Sequence, residues 1–482
     1  MRILMVAAEF APLAKTGGLG DMLAGLSGWL ARQGHDVRVL LPRYGLLATA
    51  ASTATISSRA DGPVRVDGTH PGYSLHWLDG PATSPRIYLL DAPALYGSGP
   101  IYGQGDRDAL RFALLAHAAI ELCSRLDWQP DIVHAHDWHA ALLPLLLHGP
   151  AARRNGLDDA RSLLSIHNIG YQGDFPLALA SDCGIAPLTE ELDPASRSSG
   201  RLNFLLTGIQ QADALSTVSP EHAAEILTPV YGMGLEAALQ GRREQLYGIL
   251  NGVDYACWDP AHDPLIAERY SADDPAGKAR CRAALLDELK LLPGDGPLLA
   301  MVSRLASQKG IDLLIELLPE LLQQQEPRVA ILGSGEPAHE AALNELMAAF
   351  PGRLAFISAQ DEGLAHRIFA AADIFLVPSR YEPCGLTQLY ALRYGAIPVV
   401  RATGGLKDTV THFDPATGLG NGSVFLDADS GGLRWGISQA LAWYQDQALF
   451  SGLRQNAMRA DFSWDRQGPQ YVALYERMAH QQ

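Results

Sequence analysis

The stretch LVPSRYEPCGLTQLYALRYGAIPVV, residues 376–400, decides the fold. An aliphatic run over 374–377 ends in a loop punctuated by Pro and Gly; a helical pattern follows over 384–394, and a second aliphatic run closes it over 397–400. Short strand, helix, short strand is a βαβ unit, and such units in series build a parallel sheet. The alternation extends outward from this stretch. Strands are expected at 298–302, 328–332 and 354–357, with helices over 310–324, 336–349 and 362–371. The first half carries the same rhythm, with strands at 2–7, 36–41, 131–134, 162–166 and 214–218 and helices over 20–33, 108–126, 138–147 and 200–211. Between about 52 and 90 the composition turns to Gly, Pro, Ser and Thr, which reads as a meander inserted beside the main sheet.

A chain of 482 residues is too long for one core, so two α/β domains of about 200 to 250 residues are expected. The boundaries fall at 1–245 for an N-terminal Rossmann-like domain, 246–275 for a Pro- and Asp-rich hinge (WDPAHDP, SADDP), 276–460 for a second Rossmann-like domain and 461–482 for a terminal helix. Two doubly wound domains joined by a hinge place a ligand in a cleft, beside loops that follow strands.

Composition narrows the function. Lys plus Arg number 37 against 53 Asp plus Glu, a formal net charge of -16, which opposes general binding to nucleic acid or anionic membranes. Cys123, Cys183, Cys257, Cys281 and Cys384 are scattered and form no CxxC pair, which argues against a disulfide framework or structural zinc and for a reducing compartment. The N-terminus, MRILMVAAEF, reads as a strand rather than a signal sequence. Uninterrupted apolar runs stay short of the ~18 residues of a membrane helix. A cytoplasmic protein is expected.

Three loops carry candidate chemistry. EFAPLAKTGGLGD, 9–21, joins the first strand to the first helix, and its glycines (Gly17, Gly18), Lys15 and the helix start make an anion cradle. It matches neither GxxxxGK[ST] nor GxGxxG, and an ordinary Gly-rich turn is the bland reading. VSRLASQKG, 302–310, holds the equivalent place in the second half, and Arg304 and Lys309 together suit a diphosphate, against the plainer reading of two solvated cations. The loop at 378–387 offers the N–H groups around Cys384, Gly385, Leu386 and Thr387. Glu382 beside them would repel phosphate, but suits sugar hydroxyls or positive charge developing on a sugar ring. Its plain alternative is compensation of helix charge.

Further polar clusters end strands of the first half. HAHDWHAAL, 134–142, gathers His134, His136, Asp137, Trp138 and His139; SIHNIGYQG, 165–173, contributes His167 and Asn168; LNGVDYACWDP, 250–260, contributes Asn251 and Asp254. HxHDxH lacks an assignable fourth ligand, so hydrogen bonding and a Trp platform for carbohydrate suit it better than zinc. GSGEPA, 333–338, fits a dinucleotide fingerprint by pattern, but follows the second strand of its half and carries an opposing Glu336. DAD, 427–429, reads as a solvated turn, and NGS, 421–423, is a glycosylation sequon by pattern only.

KTGGLGD, HAHDWH, HNIGYQG, TVSPEHAAEI, ILNGVD with WDP, SRLASQKG and PSRYEPCGLTQLYALRYGAIPVVRATGGLKDTV, in this order along nearly the whole chain, resemble the bacterial glycogen synthase and plant starch synthase family. The resemblance implies the GT-B architecture, with two Rossmann-like domains facing across a deep cleft and a last helix, FSWDRQGPQYVALYERM, crossing back to the first domain. It implies retaining transfer of glucose from ADP-glucose to the non-reducing end of an α-1,4-glucan, glycogen or malto-oligosaccharide, with no metal and no cofactor. By the matching motifs, Lys15, Arg304 and Lys309 would hold the diphosphate, and Glu382, Cys384 and Gly385 with His167 the glucose. Asp21, Asp137, Trp138, Asn168 and Asn251, joined by Tyr96, would face the acceptor.

Two positions depart from the family pattern. Gln360 stands where members carry a Tyr that stacks on adenine, which weakens selection of ADP over UDP by about 1 to 3 kcal/mol. Gly170 replaces the usual Ala, a minor change. The alternatives are a transferase of the same fold using UDP-glucose or another acceptor, an oxidoreductase built on GSGEPA, and a non-catalytic glucan-binding homologue. The last is disfavoured by the presence of Lys15, Arg304, Lys309 and Glu382 together. The sequence leaves the oligomeric state open.

Overall fold

The computed structural model describes residues 1–45, 63–78, 80–81, 83–324 and 327–480, with Gln324 and residues 53–61 described by backbone alone. Residues 52, 62, 79 and 82 of the expected meander, and the last two residues of the expected 461–482 segment, lie outside these. The chain divides into two compact units, one made of Met1–Gly252 with the terminal helix Trp464–His480, the other of Val253–Ser463.

Among the described residues the first unit holds eleven strands: β1 Arg2–Val6, β2 Asp36–Pro42, β3 Thr53–Asp61, β4 Gly72–Leu78, β5 Arg86–Asp91, β6 Ile132–His136, β7 Arg161–Ile166, β8 Asp174–Pro176, β9 Arg201–Asn203, β10 Ala214–Thr217 and β11 Leu246–Gly248. Nine form one sheet in the order β11-β10-β7-β6-β1-β2-β5-β4-β3. Its centre is parallel, and Ile3 to Val6 and Ile132 to His136 are buried throughout, as in strands covered by helices on both faces, with His134 and His136 meeting polar partners inside. The meander is not a separate layer. β4 pairs antiparallel with β5, and β3 with β4, so the segment lengthens the main sheet at its edge.

After β1 the chain moves to β2 on one side, and only later returns to β6 on the other. The loops leaving β1 and β6 therefore diverge at a topological switch point, where open α/β sheets bind ligands. The terminal helix Trp464–His480 belongs to this unit's packing. Asp465 accepts a 2.7 Å hydrogen bond from Trp29 Nε1 on helix Gly18–Arg32, and Tyr475 meets His134 Nδ1 at 2.8 Å.

The second unit holds β12 Leu298–Val302, β13 Arg328–Leu332, β14 Leu354–Ile357, β15 Ile374–Val377, β16 Ile397–Arg401 and β17 Ser423–Phe425, a parallel sheet of order β14-β13-β12-β15-β16-β17. Its switch point lies between β12 and β15. From Val253 onward the Pro- and Asp-rich connection packs within this unit: the Trp258 ring stacks on His366 and Tyr390 at 3.8 and 4.0 Å between centroids. Asp263 accepts from Tyr394 Oη at 2.5 Å and pairs with His366 Nδ1 at 2.7 Å. Among the described residues, no helix is long and apolar enough to cross a membrane.

Candidate functional site

In the second unit the loops after β12 and β15 meet. Lys309 Nζ lies 2.6 Å from Glu382 Oε2, which also accepts from Ser379 Oγ at 2.9 Å. Glu382 is 7% exposed, so its carboxylate is held by a cation and a hydroxyl rather than by water, as a buried charge requires. The loops are tied along their backbones: Arg380 N donates to Gln308 O at 2.8 Å, and Gln308 Nε2 donates to Tyr381 O at 3.2 Å. Arg380 clamps Asp312 with two 2.7 Å bonds. Arg304 is exposed, and its Nη2 donates to Gln308 Oε1 at 3.4 Å.

Below the Glu382 loop runs the Thr403–Gly405 turn. Gly405 N donates to Glu382 O at 3.1 Å, and Gly404, at φ +43, leaves no room for a side chain, because a Cβ there would sit 2.1 Å from Glu382 O. The helix after this loop begins at Thr387, not at the expected 384, since Gly385 at φ +73 cannot continue a right-handed helix. Cys384 is buried, and Gln388 Nε2 donates to its carbonyl at 3.0 Å and to that of Gly385 at 2.8 Å. Leu386 is the N-cap of that helix and Thr387 its first residue.

In the first unit the loop after β1 folds around Glu9. Its buried carboxylate accepts from Thr16 N (2.7 Å), Thr16 Oγ1 (2.8 Å), Gly17 N (3.1 Å) and Tyr102 Oη (2.5 Å). The N–H of Gly17 in the expected anion cradle is thus occupied by the protein's own carboxylate, while Gly18 opens helix Gly18–Arg32. Lys15 Nζ pairs with Asp21 at 2.8 Å.

The loops after β6 and β7 lock together through Asp137. Its Oδ1 accepts from His167 N at 2.7 Å and Asn168 N at 3.2 Å, and its backbone sits at φ 55. Burial raises the Asp137 carboxyl to about 7, against the lowering pull of those two N–H groups. His136 Nδ1 faces His167 Nε2 at 3.0 Å, and the rings of His134 and His136 lie 4.0 Å apart. Burial lowers all of these imidazoles, His167 to about 3, so the cluster is neutral at ordinary pH. Among the described residues, no group of three or more His, Cys, Asp or Glu could hold a metal ion.

Both units match known families. Residues 2–241 match the starch synthase catalytic domain model and residues 286–449 the glycosyl transferases group 1 model. The chain is 43% identical to a glycogen synthase of Anaeromyxobacter dehalogenans, covering 99% of this chain and 100% of that protein. It is 42% identical to a glycogen synthase of Rhodospirillum rubrum, covering 99% and 98%. The chain belongs to the glycogen synthase family of glucosyltransferases. The catalytic domain of starch synthase IV from Arabidopsis thaliana, solved with ADP and acarbose bound, matches this glycogen synthase family member at a TM-score of 0.92 and 32% identity over 99% of each chain. That match gives the GT-B fold. Sucrose-phosphate synthase from Thermosynechococcus elongatus, at 18% identity and a TM-score of 0.62, shares the fold.

Within this family member, four expected acceptor residues, Tyr96, Asp137, Trp138 and Asn251, are buried rather than brought to an open surface. Tyr96 is 1% exposed, packs edge-on against Tyr44, and donates its hydroxyl to Arg111 O. Trp138 is 7% exposed and enclosed by Phe112, Phe175 and Phe204, so it packs the core rather than offering a platform. Asn251 is 4% exposed, and among the described residues its Oδ1 has no partner. GSGEPA braces the cationic loop: a Cβ on Gly335 would meet Leu305 O at 2.3 Å, and Glu336 accepts from Ser307 N at 3.1 Å. Asp429 of DAD caps helix Ser430–Gln445. Sequence reasoning missed Glu9 as the pin of the glycine loop and His136 as the partner of His167. The signal for Glu9 was an acidic residue three positions after a buried strand.

Proposed function

We propose that the chain transfers glucose from ADP-glucose to the non-reducing end of a neutral α-1,4-glucan, with retention of anomeric configuration, in the cytoplasm. The observation that carries this reading is the Lys309–Glu382 pair at the switch point of the second unit, with Arg304 exposed on the same loop. Two cations beside one fixed carboxylate suit a diphosphate next to a sugar. Arg304 and Lys309, with Lys15 from the first unit, would stabilise charge on the departing ADP. Glu382, whose Oε2 is committed to Lys309 and Ser379, would accept from glucose hydroxyls through Oε1. Cys384, Gly385, Leu386 and Thr387 would line the donor, and His167 the sugar. Asp21, Asp137, Asn168 and Asn251 would serve the acceptor.

Retention requires the new bond to form on the face the leaving group departs from. Glu382 Oε2 and Asp137 Oδ1 are both held by hydrogen-bond donors, which favours direct attack by the acceptor hydroxyl over a carboxylate nucleophile. The C1–phosphate oxygen bond breaks, the acceptor oxygen bonds C1, and its proton passes to the departing phosphate oxygen. Excluding water prevents hydrolysis of the donor. The Arabidopsis relative was solved with ADP and acarbose, which supports adenine as the base. Gln360 is exposed at the position discussed above. Incorporation of labelled glucose into glycogen from ADP-glucose, with UDP-glucose in parallel, tests the reading. Faster transfer from UDP-glucose would overturn the donor assignment, and transfer from neither would overturn the function.

A further inference from the structure

Of the eight large apolar side chains exposed among the described residues, three stand on two turns that touch: Tyr171 at 54%, Val230 at 76% and Met233 at 38% exposure. Gln172 joins the turns, donating from Nε2 to Met233 O at 3.0 Å while its Oε1 accepts from Asn203 Nδ2 at 2.8 Å. Both turns are internally bonded. Tyr171 N donates to Asn168 O at 3.2 Å; Gly232 N donates to Thr228 O at 2.7 Å; Gly234 N donates to Glu236 Oε2 at 3.0 Å. Ordered backbones thus hold apolar side chains out into solvent, where folding gains nothing from them, and such patches mark contact surfaces.

Position and chemistry favour one occupant. Tyr171 follows His167 and Asn168 on the loop leaving β7, so the patch continues outward from residues assigned above to the sugar and the acceptor. A glucan is uncharged, and a chain of net charge -16 offers it no electrostatic steering. Its affinity must come from hydrogen bonds and from its apolar C–H faces against aromatic and aliphatic side chains. A Tyr supplies that contact as a broad amphipathic surface with little conformational freedom to lose.

We infer that Tyr171, Val230 and Met233 form a rail for the acceptor glucan, gripping glucose units beyond the one that reacts. The inference rests on the proposed function, because its place in the molecule has meaning only if His167 and Asn168 face the sugars. It predicts dependence on chain length. A long acceptor offers the rail more glucose units than maltose does.

Tyr171→Ala should raise KM for maltoheptaose about five- to tenfold, as expected for loss of one aromatic contact. KM for maltose and for ADP-glucose should stay within about twofold. Val230→Ser, a surface change that leaves the turn's hydrogen bonds intact, should move KM for maltoheptaose in the same direction by less. Equal effects of Tyr171→Ala on both acceptors, or none on either, would overturn the rail. So would conversion of a wild-type oligomer to a smaller species by Tyr171→Ala in light scattering with both KM values unchanged, which would assign the patch to a second copy of the chain. If the wild-type chain transfers glucose from ADP-glucose to no glucan, the failure belongs to the proposed function. If it does transfer and only the length dependence is missing, the failure belongs to the rail.

Discussion

Gly404→Ala probes whether the carbonyl scaffold under Glu382 sets the reaction rate. The added Cβ would begin 2.1 Å from Glu382 O, at a backbone φ of +43. A tolerable contact needs the Glu382 carbonyl to retreat by about 1 Å, and a misplacement of that size costs about a hundredfold in rate when it falls on a reacting geometry. The left-handed backbone adds about 1 to 2 kcal/mol against any residue with a Cβ. With partial relief of the clash, the unit should lose about 2 to 3 kcal/mol, and at about 2 to 4 °C per kcal/mol its melting temperature should fall by about 5 to 10 °C. Folding should survive this. The assay is kcat for glucosyl transfer with saturating donor, read beside the thermal melt, with Gly452→Ala as control. Gly452 lies exposed on helix Gln447–Arg459, and a Cβ there meets nothing within 4 Å, so Ala should be neutral or stabilising by up to about 1 kcal/mol. A folded Gly404→Ala variant with kcat within about twofold of wild type would refute the coupling between this turn and the donor carboxylate.

Lys278 is buried, donates to Ala370 O and Tyr394 O at 3.0 and 2.9 Å, and is lowered by burial from 10.5 to about 7. The native state therefore disfavours the charged form; the penalty is full below about pH 7 and is relieved as pH rises toward 10.5. Stability should climb over that window by up to about 1.4 kcal/mol per pH unit, and Lys278→Met should flatten the climb in melts from pH 7 to 10. Asp137 carries the opposite trend. Its carboxyl is raised from 3.8 to about 7, so a penalty on the ionised form builds from about pH 4 to 7, and Asp137→Asn should raise the melting temperature more at pH 8 than at pH 5. His136→Ala removes the 3.0 Å partner of His167 Nε2. With that nitrogen left unpaired, kcat should fall about tenfold while the dissociation constant for ADP stays put, and an unchanged kcat would remove His136 from any positioning role.

The fold was legible because its strands are short, uniformly aliphatic and separated by helical patterns. Each of the five strands expected in the second half lies within one residue of its place, since a buried parallel strand leaves a continuous apolar run that needs no partner to be recognised. Legibility failed where a distant segment decided the matter. Helix Phe204–Gln211 starts later than the expected 200 because Arg201–Asn203 pairs with Asp174–Pro176 and Asn203 then caps the helix through Leu206 N. The expected single helix at 138–147 is two pieces, Asp137–Ala140 and Leu143–Leu147.

The same division runs through the candidate site. Loops after strands named Lys15, Arg304, Lys309 and Glu382, because that location follows from chain order alone. Pairing, burial and enclosure did not follow. Tyr96 and Trp138 read as hydroxyl and ring available to a sugar, yet each is covered by residues far away in sequence, Tyr44 and Arg111 for one and Phe175 and Phe204 for the other. Tyr171, which the loop pattern did not single out, stays exposed.

The two lysines of the candidate site are also not bare. Lys15 is held by Asp21 and Lys309 by Glu382, so each lysine is fixed in place by a carboxylate of its own unit. Such pairing is worth little to stability where water reaches the pair, as at Lys15 and Asp21 with side chains 29% and 21% exposed. Its effect is on position. A lysine alone would distribute its ammonium over many rotamers, whereas a paired one presents a charge at a defined point, and a diphosphate with more than one negative charge can join the pair without displacing it. Glu382 then limits how negative a ligand can become beside it. That balance suits a diphosphate bonded to a neutral sugar better than inorganic pyrophosphate or a sugar phosphate with a further charge, because the ligand's uncharged end is the part that meets the carboxylate.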